Sequence, residues 1–322
     1  MSSDTPCIPV LNFANPDRDA KVKLLVEAME KVGFVYMDNV PGYSLEIEEK
    51  LLQATKWFFA KPLEDKLRVS CTNWNKDAKG YYRGYIPINV KEGHLREQYE
   101  MGEELPEDDP DRNSANYLYE PTPFPDGEEG YTYRELMMSH YAAMTNAGIE
   151  FLRLLAKGLE VAEDFFDKKF LPKTLSSLRI MHYPTYGDTP QPTFVCEEHF
   201  DTPFVTILTT FAYSGLEIKN KNDEWVKVAP RPGSLVVNIG DLLSRVSRRR
   251  FKATWHRVRD TGGDRYSIPF FFEPRADAQF EFSHEDDLGW ITYGSWMVNH
   301  MRRFKYQFGH LPEYPSDLPM FG

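Results

Sequence analysis

His199 and Asp201 stand two residues apart in CEEHFDTPFVTILTT, just ahead of a β-branched run that reads as a buried strand. In extended chain, residues i and i+2 project to the same face, so both side chains reach one ion. An imidazole nitrogen and a carboxylate oxygen together suit zinc, iron or copper. A metal that does chemistry needs a further ligand and open positions for its reactants. His256, in TWHRV on a separate predicted strand, supplies that ligand and leaves the opposite side of the ion free. Alone, His-x-Asp is a weak sign in a chain with 8 His. His94, His140, His284, His300 and His310 have no comparable company and read as structural or surface residues. His182 alternates away from Tyr183 on its strand and reads as structural as well.

A second constellation follows nine residues after His256, in RYSIPFFF. Arg265 and Ser267 are again i and i+2 and share a face. A guanidinium presents a planar fork of donors and the hydroxyl adds one more, which together make a receptor for a carboxylate. A carboxylate anchor beside a half-open metal site matches the needs of an enzyme with an anionic cosubstrate.

The elements that must position these residues are legible from periodicity. IPVLNF at 8–13 and FVYMDNV at 34–40 read as strands. Residues 17–32 and 45–59 carry apolar residues at helical spacing, and Pro62 marks the start of a third, short helix. The pattern weakens over 71–130, where KGYYRGYIPI reads as a turn and strand and EELPEDDPDRNS as a solvated loop. Residues 131–160 form a long helix with one apolar stripe through Tyr141, Met144, Gly148, Leu152, Leu155 and Leu159. From Ser177 to Pro274, short β-rich runs separated by turn signals indicate an all-β sandwich or jelly roll. Residues 292–308 look helical again.

Composition narrows the function classes. At 322 residues, with 41% hydrophobic and 27% charged, the chain is an ordinary globular protein, and 14% aromatics fit a pocket-bearing enzyme. A net charge of -11 argues against nucleic acid or an anionic membrane as partner. The three scattered cysteines, Cys7, Cys71 and Cys196, suggest reduced thiols and a cytoplasmic setting. No secretory signal or membrane-length apolar run is visible.

Taken together, the motifs resemble the isopenicillin-N-synthase-like branch of the Fe(II)/2-oxoglutarate-dependent oxygenases, over most of the chain. IPVLNF, GFVYMDNV and FFAKPLEDK are similar to the family's N-terminal region, and KGYYRGYIPI with REQYEMGEEL to its middle segment. EEHFDTPFVTIL, GLEIKNKNDEWVKVAPRPGSLVVNIGDLL, ATWHRV and RYSIPFFFEP follow the family in order and spacing. The resemblance implies an α+β fold with a mainly β core, a double-stranded β-helix (jelly roll) with flanking helices. It implies one integrated unit with a helical and mixed region at 1–125, a long helix at 126–176, the jelly-roll core at 177–280 and a helical segment at 281–322. HRVRDTGGDRYS alone reads as a hairpin, whereas the family places its two strands in opposite sheets, and that arrangement is adopted.

The resemblance also implies roles. His199, Asp201 and His256 would hold Fe(II), while Arg265 and Ser267 would hold the distal carboxylate of 2-oxoglutarate. Tyr183 matches a Tyr that in many relatives helps bind that cosubstrate, with Met181 standing where those relatives often carry Asn. Phe271, on the Arg265–Ser267 face by period two, would line the pocket. Asn238 in VVNIGD could reach the site as a substrate contact, with Asp241 as a turn or capping residue, and Arg83 in YYRGY matches a region that contributes substrate contacts in relatives. The implied reaction consumes O2 and 2-oxoglutarate, releases succinate and CO2, and oxidises a small organic molecule, by default through hydroxylation. Two alternatives stay open: a 2-oxoglutarate-independent iron oxidase of the same fold, and a non-catalytic binding protein. Arg245, Arg248, Arg249 and Arg250 read as a solvated run or, alternatively, as a cluster that recruits an acidic substrate.

Overall fold

The computed structural model describes residues 8–112, 116–185, 194–281 and 289–314; Cys7 and His284 lie outside them. The first hundred residues alternate strands and helices. β1 (Val10–Asn12) leads into α1 (Arg18–Lys31), whose first turn is capped by Asp17 accepting from the Ala20 amide at 2.9 Å. β2 (Phe34–Asp38) precedes α2 (Leu45–Phe59), capped by Ser44, and α3 (Leu63–Arg68), which begins after Pro62. β3 (Gly84–Ile86) and β4 (Glu97–Gly102) occupy the stretch where periodicity was weak. α4 (Gly127–Gly158) and the short α5 (Asp167–Phe170) lead into the β-rich half.

That half contains β5 (Ser177–Tyr183), β6 (Phe194–His199), β7 (Val205–Thr209), β8 (Leu216–Lys219), β9 (Trp225–Lys227) and β10 (Leu235–Ile239). After α6 (Asp241–Val246) come β11 (His256–Arg259) and β12 (Arg265–Phe272). A small β13 (Gln279–Glu281) and β14 (Trp290–Thr292) pair, then α7 (Tyr293–Met301) and α8 (Lys305–Phe308), complete the described chain.

The strands form two facing sheets. The larger runs β1-β2-β10-β7-β12-β5-β4-β3 and the smaller β6-β11-β8-β9. This is the jelly-roll core with flanking helices. β11 and β12 sit in different sheets, so the segment through Gly262 and Gly263 crosses between layers and is not a hairpin turn. β1 to β4 extend the large sheet at both edges, which makes the N-terminal region part of the same layer.

Strand alternation sorts the large sheet into two faces. Leu178, Ile180, Ile207, Ile268, Phe270 and Phe272 are buried with Met137, Met144, Leu152 and Leu155 of α4. Tyr141 meets Phe270 edge-on at 5.1 Å, and a Cβ on Gly148 would lie 2.5 Å from Phe272, so glycine permits the close approach of helix and sheet. The opposite face carries Phe34, Tyr36, Tyr183 and Val236, packed against Val195, Leu216, Ile218 and Val258 of the small sheet. Tyr183, Asn238, Arg265, Ser267 and Phe271 lie on this inner face, and His199 and His256 belong to the small sheet opposite. Among the described residues, no helix is long and apolar enough to cross a membrane.

Candidate metal centre

His199 ends β6 and His256 begins β11, and the two are directly opposed in antiparallel register. Their rings stand 4.2 Å apart. Asp201 follows two residues after β6, where the chain turns toward β7. Its Oδ1 lies 3.7 Å from His199 Nε2 and 3.6 Å from His256 Nε2. The three ligand atoms lie within 4.8 Å of one another. Donors each roughly 2.1 Å from one ion can be at most roughly 4.2 Å apart, so both His–Asp separations fit a shared cation.

The surroundings point those atoms at a common centre. His199 Nδ1 is 2.8 Å from the Glu197 carbonyl and His256 Nδ1 is 3.1 Å from the Thr254 carbonyl. A carbonyl only accepts, so each Nδ1 carries the proton and each Nε2 keeps a lone pair for metal. Asp201 Oδ2 accepts from Thr206 Oγ1 at 2.7 Å and Asn238 Nδ2 at 2.8 Å, which leaves Oδ1 facing the imidazoles. Burial pushes the Asp201 carboxyl up, but His256, His199 and Asn238 outweigh it and hold the carboxyl well below the usual carboxylate range. A buried carboxylate kept charged beside two imidazole Nε2 atoms suits a divalent cation.

Arg265 begins β12 opposite Tyr183 of β5, and Ser267 stands opposite Met181. Arg265 is 3% exposed. It donates to the Ser214 carbonyl and to Ser267 Oγ, both at 3.3 Å, and its guanidinium lies 5.0 Å over the Tyr183 ring. Among the described residues no carboxylate pairs with it, and burial works against its charge. A buried cation with a hydroxyl beside it and no anion suits a carboxylate-bearing small molecule. Tyr183 shares this buried face, its hydroxyl donating to Met181 Sδ at 3.4 Å.

Cross-strand register brings the other expected residues into one row. Asn238 pairs with Thr206, and Thr206 with Phe271, so all three project to the inner face. Asn238 is buried and its Nδ2 donates to Asp201 Oδ2, so the contact it makes here is with that carboxylate. Thr206 was not singled out from the sequence, although its place five residues after Asp201 on an alternating strand is the signal that finds it.

Arg83 requires a correction. It is 1% exposed, and its guanidinium donates to the Glu103 carbonyl at 3.1 Å, the Leu118 carbonyl at 3.4 Å and the Glu120 carbonyl. These bonds tie it to the 103–120 segment as a structural cation. Three of the four clustered arginines are engaged: Arg245 and Arg249 bond Asp241 at 2.7 and 2.9 Å, and Arg250 bonds Glu30 at 2.7 Å. Asp241 begins α6 and anchors this turn. His182 faces outward, stacked on Tyr266 at 4.5 Å and 2.7 Å from Glu97.

Residues 175–274 match the model of the 2OG-Fe(II) oxygenase superfamily, and residues 8–127 that of the non-haem dioxygenase in morphine synthesis N-terminal family. The chain is 31% identical over 296 residues to a 2-oxoglutarate-Fe(II) type oxidoreductase of Emericella nidulans, covering 84% of this chain and 80% of that protein. It is 30% identical to kihadalactone A synthase of Citrus sinensis, covering 85% and 84%. A 2OG-Fe(II) oxygenase family protein from Caulobacter crescentus superposes with a TM-score of 0.79 at 25% identity, over 92% of this chain and 99% of that one. A full-length Neurospora crassa protein solved in complex with alpha-KG superposes with a TM-score of 0.77 at 22% identity, over 94% and 98%.

Proposed function

Because the chain belongs to the 2OG-Fe(II) oxygenase superfamily, we propose that His199, Asp201 and His256 hold its iron and that Arg265, Ser267 and Tyr183 hold its 2-oxoglutarate. The chain is an Fe(II)- and 2-oxoglutarate-dependent oxidoreductase that acts on a small organic molecule. The observation that carries the residue assignment is the pairing of a three-donor cluster with a buried guanidinium that has no protein counter-ion among the described residues.

Each residue has a distinct task. The imidazoles present Nε2 because backbone carbonyls fix Nδ1, and Asp201 presents Oδ1 because Thr206 and Asn238 hold Oδ2. Arg265 and Ser267 receive the carboxylate distal to the keto group, with the Tyr183 ring packed beneath the guanidinium. Iron, when bound, supplies the activation of O2 that couples decarboxylation of the keto acid to oxidation of a C–H bond. The protein's contribution is to orient both organic molecules and to exclude water. Hydroxylation is the outcome we assign. The sparse, scattered cysteines place the protein in the cytoplasm.

The test is succinate formation from 2-oxoglutarate in air with Fe(II) present. The wild type should release succinate, and His256→Ala should release none. Arg265→Ala should need far more 2-oxoglutarate to reach the same rate. Succinate release by His256→Ala at the wild-type rate would refute the assignment.

A further inference from the structure

The arginine cluster and the C-terminal helix α7 reach the metal centre from outside, at the stretch of chain that carries Asp201. After β6 the chain passes through residues 200–204 to β7, and three carbonyl groups along it accept hydrogen bonds from elsewhere in the fold. The Asp241 amide donates to the Asp201 carbonyl at 2.7 Å, and the Gly240 amide donates to the Phe204 carbonyl at 3.1 Å. Between them, Trp296 Nε1 on α7 donates to the Thr202 carbonyl at 3.3 Å. Gly240 permits this close approach, because a Cβ there would collide with the Pro203 carbonyl.

These donors are tied to one another. Asp241 is buried, and its carboxylate accepts from Arg245 Nε at 2.7 Å and Arg249 Nη1 at 2.9 Å. The Arg245 guanidinium lies 5.6 Å over the Trp296 ring. On α7 itself, the His300 ring packs 4.2 Å from that of Trp296, and His300 Nδ1 lies 2.8 Å from the Trp296 carbonyl. A closed circuit results. It runs from the Asp201 carbonyl through Asp241, Arg245 and the Trp296 indole back to the Thr202 carbonyl. Thr206 and Asn238 fix the Asp201 carboxylate about its own side-chain bonds, but not the backbone from which it springs. Asp201 lies beyond the end of β6, so strand pairing does not fix that backbone either. The circuit does, by holding the peptide groups on the C-terminal side of Asp201.

We propose that Trp296 and the Asp241–Arg245 pair are positioning residues for Asp201, and that α7 thereby completes the metal centre from the C-terminal side. The proposal rests on the assignment of His199, Asp201 and His256 as the iron ligands. It gives Arg245 a task in the clustered arginines that differs from attracting an acidic substrate: it joins the turn at Asp241 to α7.

The experiment uses the full-length protein with Co(II) as the probe metal. Affinity is read by competition with a fluorescent chelator, the visible d–d spectrum of bound Co(II) reports the arrangement of its ligands, and melting temperatures are recorded with and without the metal. Trp296→Phe keeps an aromatic ring beside Arg245 and His300 but has no N–H. It should weaken Co(II) binding about three- to tenfold, the reach of one hydrogen bond, and should alter the spectrum. Asp241→Asn keeps the backbone amide, loses the charge pairing with Arg245 and Arg249, and should act in the same direction. The double variant should lose less than the product of the two single changes, as expected for groups in one network. In both single variants the gain in melting temperature on adding Co(II) should shrink. A tryptophan that only packs would lower both melting temperatures equally. Trp290→Phe, at an exposed tryptophan just before α7, should match the wild type. Wild-type affinity and spectrum in both Trp296→Phe and Asp241→Asn, or an equal loss in Trp290→Phe, would overturn this proposal alone. Co(II) affinity unchanged by His256→Ala would overturn the ligand assignment beneath it.

Discussion

Replacing Asn238 by Ala should weaken metal binding before any organic molecule is present. The Asp201 carboxylate has two fixed donors on Oδ2, Asn238 Nδ2 at 2.8 Å and Thr206 Oγ1 at 2.7 Å. Both are made by buried residues, so water does not readily substitute for them. A hydrogen bond to a charged group contributes about 1.5–3 kcal/mol, and about 1.4 kcal/mol is tenfold in affinity. Removing either donor frees Asp201 to rotate, and the expected loss is about 10- to 100-fold in metal affinity, the range typical of groups that orient ligands. Thr206→Val, which keeps the shape of the side chain, should do the same. The double variant should show coupling, because both donors act on one oxygen. Competition between the apo-protein and a fluorescent chelator for Co(II) measures this without turnover. Had Asn238 contacted substrate only, as its sequence position suggested, metal affinity would stay at the wild-type value. Affinities within twofold of wild type in both single variants would refute the reasoning.

Three further outcomes follow from the same geometry. Arg265→Ala should raise the 2-oxoglutarate Kd about 30-fold or more, because truncating one partner of a buried charge pair costs about 2–5 kcal/mol; equilibrium dialysis with labelled cosubstrate measures it. Glu97 accepts from Lys66 Nζ and Tyr85 Oη at 2.6 Å and from His182 Nδ1 at 2.7 Å. Burial raises its carboxyl, but these bonds lower it further, so its folded value is depressed. Its stabilising contribution is present above the unfolded value of about 4.3 and is lost as pH falls through the folded value. Urea midpoints should therefore fall below about pH 4.3 more steeply in wild type than in Glu97→Gln, which should already be less stable at pH 7 by about 3–5 kcal/mol. Arg250→Glu should change stability by at most about 1 kcal/mol, as expected for an exposed ion pair, and leave the KM for substrate unchanged, since Arg250 serves Glu30.

How much of this was legible in the sequence varied with the physics of each element. α2 matches its predicted span, Leu45–Phe59, because an amphipathic stripe and a Ser cap are local signals. The candidate metal ligands were legible because His-x-Asp places two donors on one face of a strand. His256 is proposed as the third donor from its own predicted strand, and the antiparallel register of β6 and β11 sets it opposite His199. β4 was not recognised as a strand: EQYEMG is buried throughout, so it lacks the alternation of a half-solvated strand. With β4 unseen, the ion pair that joins Glu100 of β4 to Arg179 of β5 stayed invisible. Arg83 and Asn238 make contacts that the sequence could not show. Their types were compatible with substrate contact, but the carbonyls and the carboxylate that engage them come from distant segments. The crossing of β11 to β12 between sheets also opposes the local turn signal in DTGGD, so only the family pattern placed it.

The central claim is that a His-Asp-His iron site and a buried Arg265 together hold 2-oxoglutarate. Reconstitution of the purified protein with Fe(II) under anaerobic conditions, followed by 2-oxoglutarate, tests it through the weak visible charge-transfer band of a chelated keto acid. The wild type should develop the band, His199→Ala should lack it, and Arg265→Ala should need a much higher 2-oxoglutarate concentration to reach the same intensity. An iron-loaded wild type without the band, or a band of full strength in His199→Ala, would contradict the account.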